Sequence, residues 1–177
     1  CGVARVEGIF NGTTNYILMR MEQEQLSFAE ALAGAQAAGI AEADPSLDVD
    51  GWDAANKLVI VANSVLRRPT VLADVQVEGI RGVTLEAMHA AAAQGKIVKL
   101  LALAEQRGGN WPHADYALSV RPTLLERNHP LGRIGLWDMG VVYHTDTMGI
   151  ISAVIEEKGP VPTAAAVLRD MINIYAS

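Results

Sequence analysis

The densest group of titratable side chains lies in one short stretch. Glu42, Asp44, Asp48, Asp50 and Asp53 put five carboxylates within twelve residues, and Lys57 follows. Asp53 and Lys57 are four apart, so on a helix they share a face and reach each other. Most acidic runs are solvated, and this one reads equally as a helix-capping loop with a surface ion pair. The sharper reading is a cup for a cationic substrate group, in which a lysine held among carboxylates moves a proton to or from a substrate oxygen. Leu58-Val59-Ile60-Val61 directly after Lys57 makes this helix read as largely buried, where a lysine is seldom a free charge. The other polar groups carry less. Asp138 and His144-Thr145-Asp146 read as turn residues between strands, and His89 and His113 stand alone. Trp52, Trp111 and Trp137 are too scattered for a stacking platform, and Met19, Met21 and Met88 read as helix packing.

The elements around this stretch can be read from periodicity and caps. Val3 to Phe10 reads as a strand, and Asn11-Gly12-Thr13-Thr14-Asn15 as a turn in which Thr13, Thr14 or Asn15 caps a helix from Tyr16 to Glu24. Ser27 and Glu30 form a capping box for a helix running to Gly39. Ile40 to Gly51 is an acidic loop, and Asp50 is the expected N-cap of a helix from Trp52 to Arg68, stopped by Pro69. Residues 70 to 83 are irregular with room for a short strand. Thr84 then caps a helix from Leu85 to Gln94. Strands are expected at Ile97 to Glu105, Tyr116 to Arg121, Gly140 to Tyr143 and Gly149 to Ile155, with turns at Gly108-Gly109-Asn110 and His129-Pro130-Leu131-Gly132. Pro162 opens a last helix to about Tyr175. The order predicts an α+β (mixed α/β) domain over 1–177, with helices on one face of a largely antiparallel or mixed sheet. The last two strands are nearly continuous apolar runs, so the other sheet face is expected to be available for dimerisation.

Composition bounds the possibilities. The 177 residues are 50% hydrophobic and 19% charged, with 27 alanines, which excludes bulk disorder. The net charge of −6 and the lack of a basic patch argue against nucleic acid. No run of some 18 apolar residues is present, so no membrane span is expected. Cys1 is the single cysteine, which excludes an internal disulfide and a cysteine metal site and fits a reducing, cytoplasmic setting. The chain opens inside a strand without Met or a leader, and the simplest expectation is a piece of a longer polypeptide.

Two blocks resemble the homoserine dehydrogenase family. One is Gly8-Ile9-Phe10-Asn11-Gly12-Thr13-Thr14-Asn15-Tyr16-Ile17. The other is Ala41-Glu42-Ala43-Asp44-Pro45 with Asp48, Gly51, Asp53, Ala54, Ala55 and Lys57-Leu58. Weaker similarity continues through Val77-Glu78-Gly79-Ile80, His129-Pro130-Leu131 and Pro162-Thr163-Ala164. The resemblance implies an oxidoreductase that interconverts L-homoserine and L-aspartate 4-semialdehyde with NAD(P), this region being its substrate-binding and dimerisation domain. It implies that Lys57 is the catalytic lysine, that Asp48 and Asp53 position lysine and substrate, that Glu42 receives the substrate ammonium, and that Gly12 and Thr13 line the cleft. The expected partners are the small-molecule substrate and a second copy of the chain. A non-catalytic dimerisation or amino-acid-binding module is the alternative. The chain departs from the family in having no Gly-x-Gly-x-x-Gly turn, so the cofactor is expected to sit mainly on a domain absent from these 177 residues, leaving the chain inactive alone. A second lysine and most of a monovalent-cation site, both expected from the family, are missing as well. Glu156 to Thr163 replaces the family's glycine-rich segment before the last helix.

Overall fold

The computed structural model describes residues 1–109, 113–156, 159 and 161–175. The elements follow the expected order: β1 (Val3–Ile9), α1 (Gly12–Glu24), α2 (Phe28–Ala37), α3 (Ser46–Val49), α4 (Trp52–Ser64), β2 (Val75–Val77), α5 (Leu85–Ala93), β3 (Lys96–Gly108), β4 (Asp115–Glu126), β5 (Asp138–Thr145), β6 (Ile150–Glu156) and α6 (Val161–Tyr175). The strands form one sheet in the order β2-β4-β3-β1-β5-β6, antiparallel except for the β2–β4 pair. This is the α+β architecture that the pattern predicts.

One sheet face carries the main core. Val6, Leu100, Ala102, Ala104, Tyr116 and Val120 meet Ile17, Leu18, Met21, Leu58 and Ala62 from α1 and α4. The alanine content has its use here: Ala31, Ala35, Ala54, Ala55 and Ala62 are all at most 2% exposed. Small side chains at buried helix positions leave little distance between backbones, so the helices lie close on the core. The second face is partly covered by the chain between β4 and β5, whose Leu131 and Ile134 pack on Ile9, Leu101, Leu125 and Val142. Further along this face Glu7 is 2% exposed. Its carboxylate accepts from Arg5 at 2.7 Å and lies 2.8 Å from His144 Nε2 and 3.3 Å from His129 Nε2. Burial pushes the Glu7 carboxyl up, but the hydrogen bonds from His144 and Arg5 outweigh it and hold the group below the usual carboxylate range. His144 is thus a strand residue tied to β1, where the sequence suggests a turn.

Several boundaries differ from expectation. Helix α1 starts at Gly12, earlier than Tyr16, because Asn11 is the N-cap and accepts from Thr14 N at 2.8 Å. Gly51, at φ +87°, occupies the N-cap position of α4 without a side-chain cap, and Asp50 instead pairs with Arg81 at 2.5 Å. Helix α4 ends at Ser64, short of Arg68, as Arg67 turns left-handed at φ +52°. Helix α2 stops at Ala37, two residues before Gly39. The acidic loop contains the short helix α3. Strands β3 and β4 outrun their apolar segments because each continues the other's ladder, from Lys96 opposite Glu126 to Gly108 opposite Asp115. Asn110, in the expected turn between them, lies outside the described residues.

The α3–α4 junction, which carries Asp48 and Asp53, is held from behind. Ile80 N donates to Val49 O at 2.8 Å, and a Cβ on Gly79 would stand 2.3 Å from that oxygen and 2.5 Å from Asp50 Cα. Both obstacles are backbone and cannot rotate away. Gly79→Ala is therefore expected to cost about 2–3 kcal/mol, as overpacking of a fixed site does, seen as a lowered urea midpoint at unchanged m-value. A midpoint equal to wild type would mean that the junction is free to move.

Candidate active site

Three segments distant in sequence converge on one point. Asn11 follows β1, Asp48 sits on α3, and Asp53 lies in the first turn of α4. The Asn11 amide donates to Asp48 Oδ1 at 2.6 Å and to Asp53 Oδ2 at 2.8 Å. The same side chain's oxygen accepts from Thr14 N and from Thr14 Oγ1, at 2.8 and 2.9 Å. Asn11 thus caps α1 with one end and joins two carboxylates with the other. Only an amide offers both an acceptor and two donors at this length.

Lys57 stands one turn along α4. Its Nζ lies 2.8 Å from Asp53 Oδ2 and donates to Phe10 O at 2.8 Å. Two of its three N–H donors are so engaged, which fixes the ammonium and leaves one donor for another acceptor. The lysine side chain is 45% exposed and that of Asp53 is 23% exposed, so the pair is reachable and its own contribution to stability is small. These groups line a cavity of about 430 Å3 together with Gly12, Thr13, Tyr16 and Ile40. Thr13 Oγ1 donates to Ile40 O at 3.2 Å and so ties α1 to the segment that leads into the acidic stretch. A Cβ on Gly12 would meet only Met139 Sδ, at 3.9 Å, so this wall keeps open space. An apolar groove of about 390 Å3 adjoins on the far side of Lys57 and shares Met139 with the cavity.

Of the six residues singled out from sequence, Gly12, Thr13, Asp48, Asp53 and Lys57 line the same cavity. Glu42 does not. It is exposed, two residues beyond cavity-lining Ile40, and its carbonyl accepts from Gln36 at 3.0 Å. Sequence reasoning missed the wall of Leu136, Trp137 and Met139, brought over by the approach to β5. The Trp137 ring lies 5.2 Å from that of Tyr16, tilted by 49°. It also left Asn11 as a turn residue, although the Asn-Gly-Thr-Thr-Asn run before a helix is a signal for a capping side chain. Among the described residues no group of three or more His, Cys, Asp or Glu is arranged to hold a metal ion.

The chain has relatives among known proteins. It matches the family model described as homoserine dehydrogenase over residues 1–172. It is 42% identical to a homoserine dehydrogenase of Synechocystis over 172 residues, which are 97% of this chain and 40% of that protein. A relative from Pseudomonas canavaninivorans, named an NAD(+)-dependent homoserine dehydrogenase, is 37% identical over 97% of this chain and 47% of its own length. The chain thus spans less than half the length of these curated relatives. Among solved structures, S. aureus homoserine dehydrogenase superposes with a TM-score of 0.89 at 34% identity, over 99% of this chain and 43% of that one. A hyperthermophilic archaeal homoserine dehydrogenase mutant in complex with NADPH gives 0.75 at 27% identity, over 97% of this chain and 47% of that one.

Removing the Asn11 amide should expose its double duty. Asn11→Ala loses an N-cap and leaves two carboxylates facing each other, so a loss of about 1–3 kcal/mol is expected in urea unfolding at pH 7. Asn11→Asp keeps the cap acceptor but adds a third carboxylate. Its deficit at pH 7 should be at least as large, since like charges then face one another with no donor between them. An Asn11→Asp variant as stable as wild type would separate Asn11 from the two aspartates.

Proposed function

Because the chain belongs to the homoserine dehydrogenase family, we propose that it is the substrate-binding and dimerisation domain of an oxidoreductase interconverting L-homoserine and L-aspartate 4-semialdehyde with NAD(P). The observation that carries the reading is the anchored Lys57 ammonium, set on Asp53 and Phe10 O at the wall of the cavity that Asp48, Gly12 and Thr13 also line. An aldehyde that receives a hydride needs a proton at its oxygen, and a fixed ammonium with a spare donor can give one. In the reverse direction the same nitrogen takes the proton from the homoserine hydroxyl. Asp53 keeps Lys57 in place, and Asp48 is assigned to position the substrate. Tyr16 and Trp137 give the same cavity an aromatic lining beside its carboxylates.

NAD(P), when bound, supplies or accepts the hydride. The cavity fits its reacting end, with open space over Gly12 and an apolar groove next to Lys57. The phosphates need a glycine-rich turn at a helix N-terminus, and the sequence has none of that pattern, so they are assigned to a domain outside these residues. A biosynthetic enzyme of this kind belongs in the cytoplasm, and no helix among the described residues is long and apolar enough to cross a membrane.

The dimer part of the reading rests on edge strand β6. Ile150 and Val154 on one side and Ile151 and Ile155 on the other are 39–66% exposed. An apolar strand open on both sides calls for a cover, and a second copy offers an identical one. A partner of this type should bury on the order of 2,000 Å2 or more in total.

Two measurements test the proposal. In the enzyme that carries this chain with its dinucleotide-binding domain, Lys57→Ala should lower kcat about 10²- to 10⁴-fold with little change in dinucleotide affinity. Near-normal turnover would return the Asp53–Lys57 pair to an ordinary helix ion pair. Light scattering of the chain at micromolar concentration should give about twice 18.9 kDa. A monomer mass would mean that β6 is covered by something other than its own copy.

A further inference from the structure

Lys99 is wholly buried on β3, the largest such side chain among the described residues. A buried ammonium is costly unless its donors are satisfied, and no carboxylate lies within ion-pair distance of it among the described residues. Its three N–H groups instead find Asn15 Oδ1 at 2.7 Å, Met19 Sδ at 3.0 Å and Ile134 O at 3.4 Å. Three donors meet three acceptors, and none of the acceptors belongs to the candidate catalytic cluster. Burial lowers the Lys99 pKa to about 8, with the charges of Glu22 and Asp138 opposing the shift.

The Asn15 partner extends the grip. Asn15 is 1% exposed, and while its oxygen accepts from Lys99, its amide donates to Gly135 O at 2.8 Å and Asp138 O at 3.0 Å. The Asp138 carboxylate closes the same turn by accepting from Gly135 N at 2.6 Å. Ile134 O, Gly135 O and Asp138 O thus all point to one buried amide–ammonium pair. The turn that they form bears Leu136 and Trp137, and Met139 follows at the start of β5, so it supplies part of the wall of the cavity that Lys57 lines.

We propose that Lys99, acting through Asn15, is a positioning residue that sets the Leu136–Trp137–Met139 wall of the substrate cavity. Lys57 has its own anchors, Asp53 and Phe10 O, and Asn11 joins Asp48 to Asp53, none of which passes through Lys99. A displaced wall therefore weakens the hold on the substrate equally in the ground and transition states, while proton transfer at Lys57 is kept. The effect belongs to KM for the amino-acid substrate and not to kcat. This rests on the reading of the cavity as the homoserine site, and the placement of the wall can be observed without that reading.

The test uses the enzyme that carries this chain with its dinucleotide-binding domain, in a Trp52→Phe, Trp111→Phe background so that emission from this chain reports on Trp137. Lys99→Met removes the donors at nearly equal volume. Asn15→Asp keeps an acceptor for Lys99, now as an ion pair, but removes the amide that holds Gly135 O and Asp138 O. Both variants should raise KM for homoserine about tenfold or more, leave kcat within about threefold and the dinucleotide KM unchanged, and increase acrylamide quenching of Trp137. The double variant should be no worse than the worse single one, as members of one chain of bonds are non-additive. If Lys99→Met does not fold, Asn15→Asp decides alone, since Lys99 stays paired in it. Unchanged homoserine KM and quenching in folded Asn15→Asp overturn the proposal, as does a fall in kcat with KM unchanged. An enzyme without homoserine turnover refutes the functional reading instead, and the quenching then decides on the wall.

Discussion

The Asn11 side chain is the constraint on which the candidate site depends. Asp48 and Asp53 stand close enough to share one amide, and in a partly dry cleft two such carboxylates repel unless donors lie between them. Asn11 supplies two donors, and its oxygen is at the same time the cap of α1. The start of α1, the end of α3 and the start of α4 are therefore fixed by one residue. The Lys57 ammonium follows from this, because its carboxylate partner is one of the two that Asn11 holds and its other acceptor, Phe10 O, belongs to the residue before Asn11. A chain of three hydrogen-bonded groups thus carries the position of a helix end over to the position of a proton donor.

The two sheet faces divide the labour. Helices and alanines close the first face tightly, and the cavity opens where α1, the acidic segment and α4 meet at its end. The second face is sealed only in part, by Leu131 and Ile134, and there the protein buries charge: Glu7 with Arg5, His129 and His144 at one place, Lys99 with Asn15 at another. Leu131 N donates to His129 Nδ1 at 3.2 Å, which leaves Nε2 as the protonated nitrogen of the neutral ring, turned towards Glu7. Each buried charge has a partner on the segment between β4 and β5, His129 for Glu7 and Ile134 for Lys99. Each therefore ties the 127–137 segment to the sheet more specifically than apolar packing alone could.

Much of this was legible in the residues themselves. Apolar periodicity, the Ser27–Glu30 box, Thr84 as a cap and Pro162 near the start of α6 determined the order and type of the elements, because these signals act within a few residues along the chain. The i, i+4 spacing determined that Asp53 and Lys57 would meet, since a helix permits little else. The two motif blocks likewise identified the family and five of the residues that share the cavity. What only the tertiary structure decided were contacts over long separations: that the Asn11 amide would reach Asp48 and Asp53, that Asp50 would turn away to Arg81, and that Glu42 would lie outside the cavity lining. The wall of Leu136, Trp137 and Met139 and the burial of Lys99 were decided in the same way. A strand lysine has no local signature that separates solvent from interior. Its environment is set by a segment more than thirty residues further on folding back over the sheet, and no pattern within β3 encodes where that segment will land.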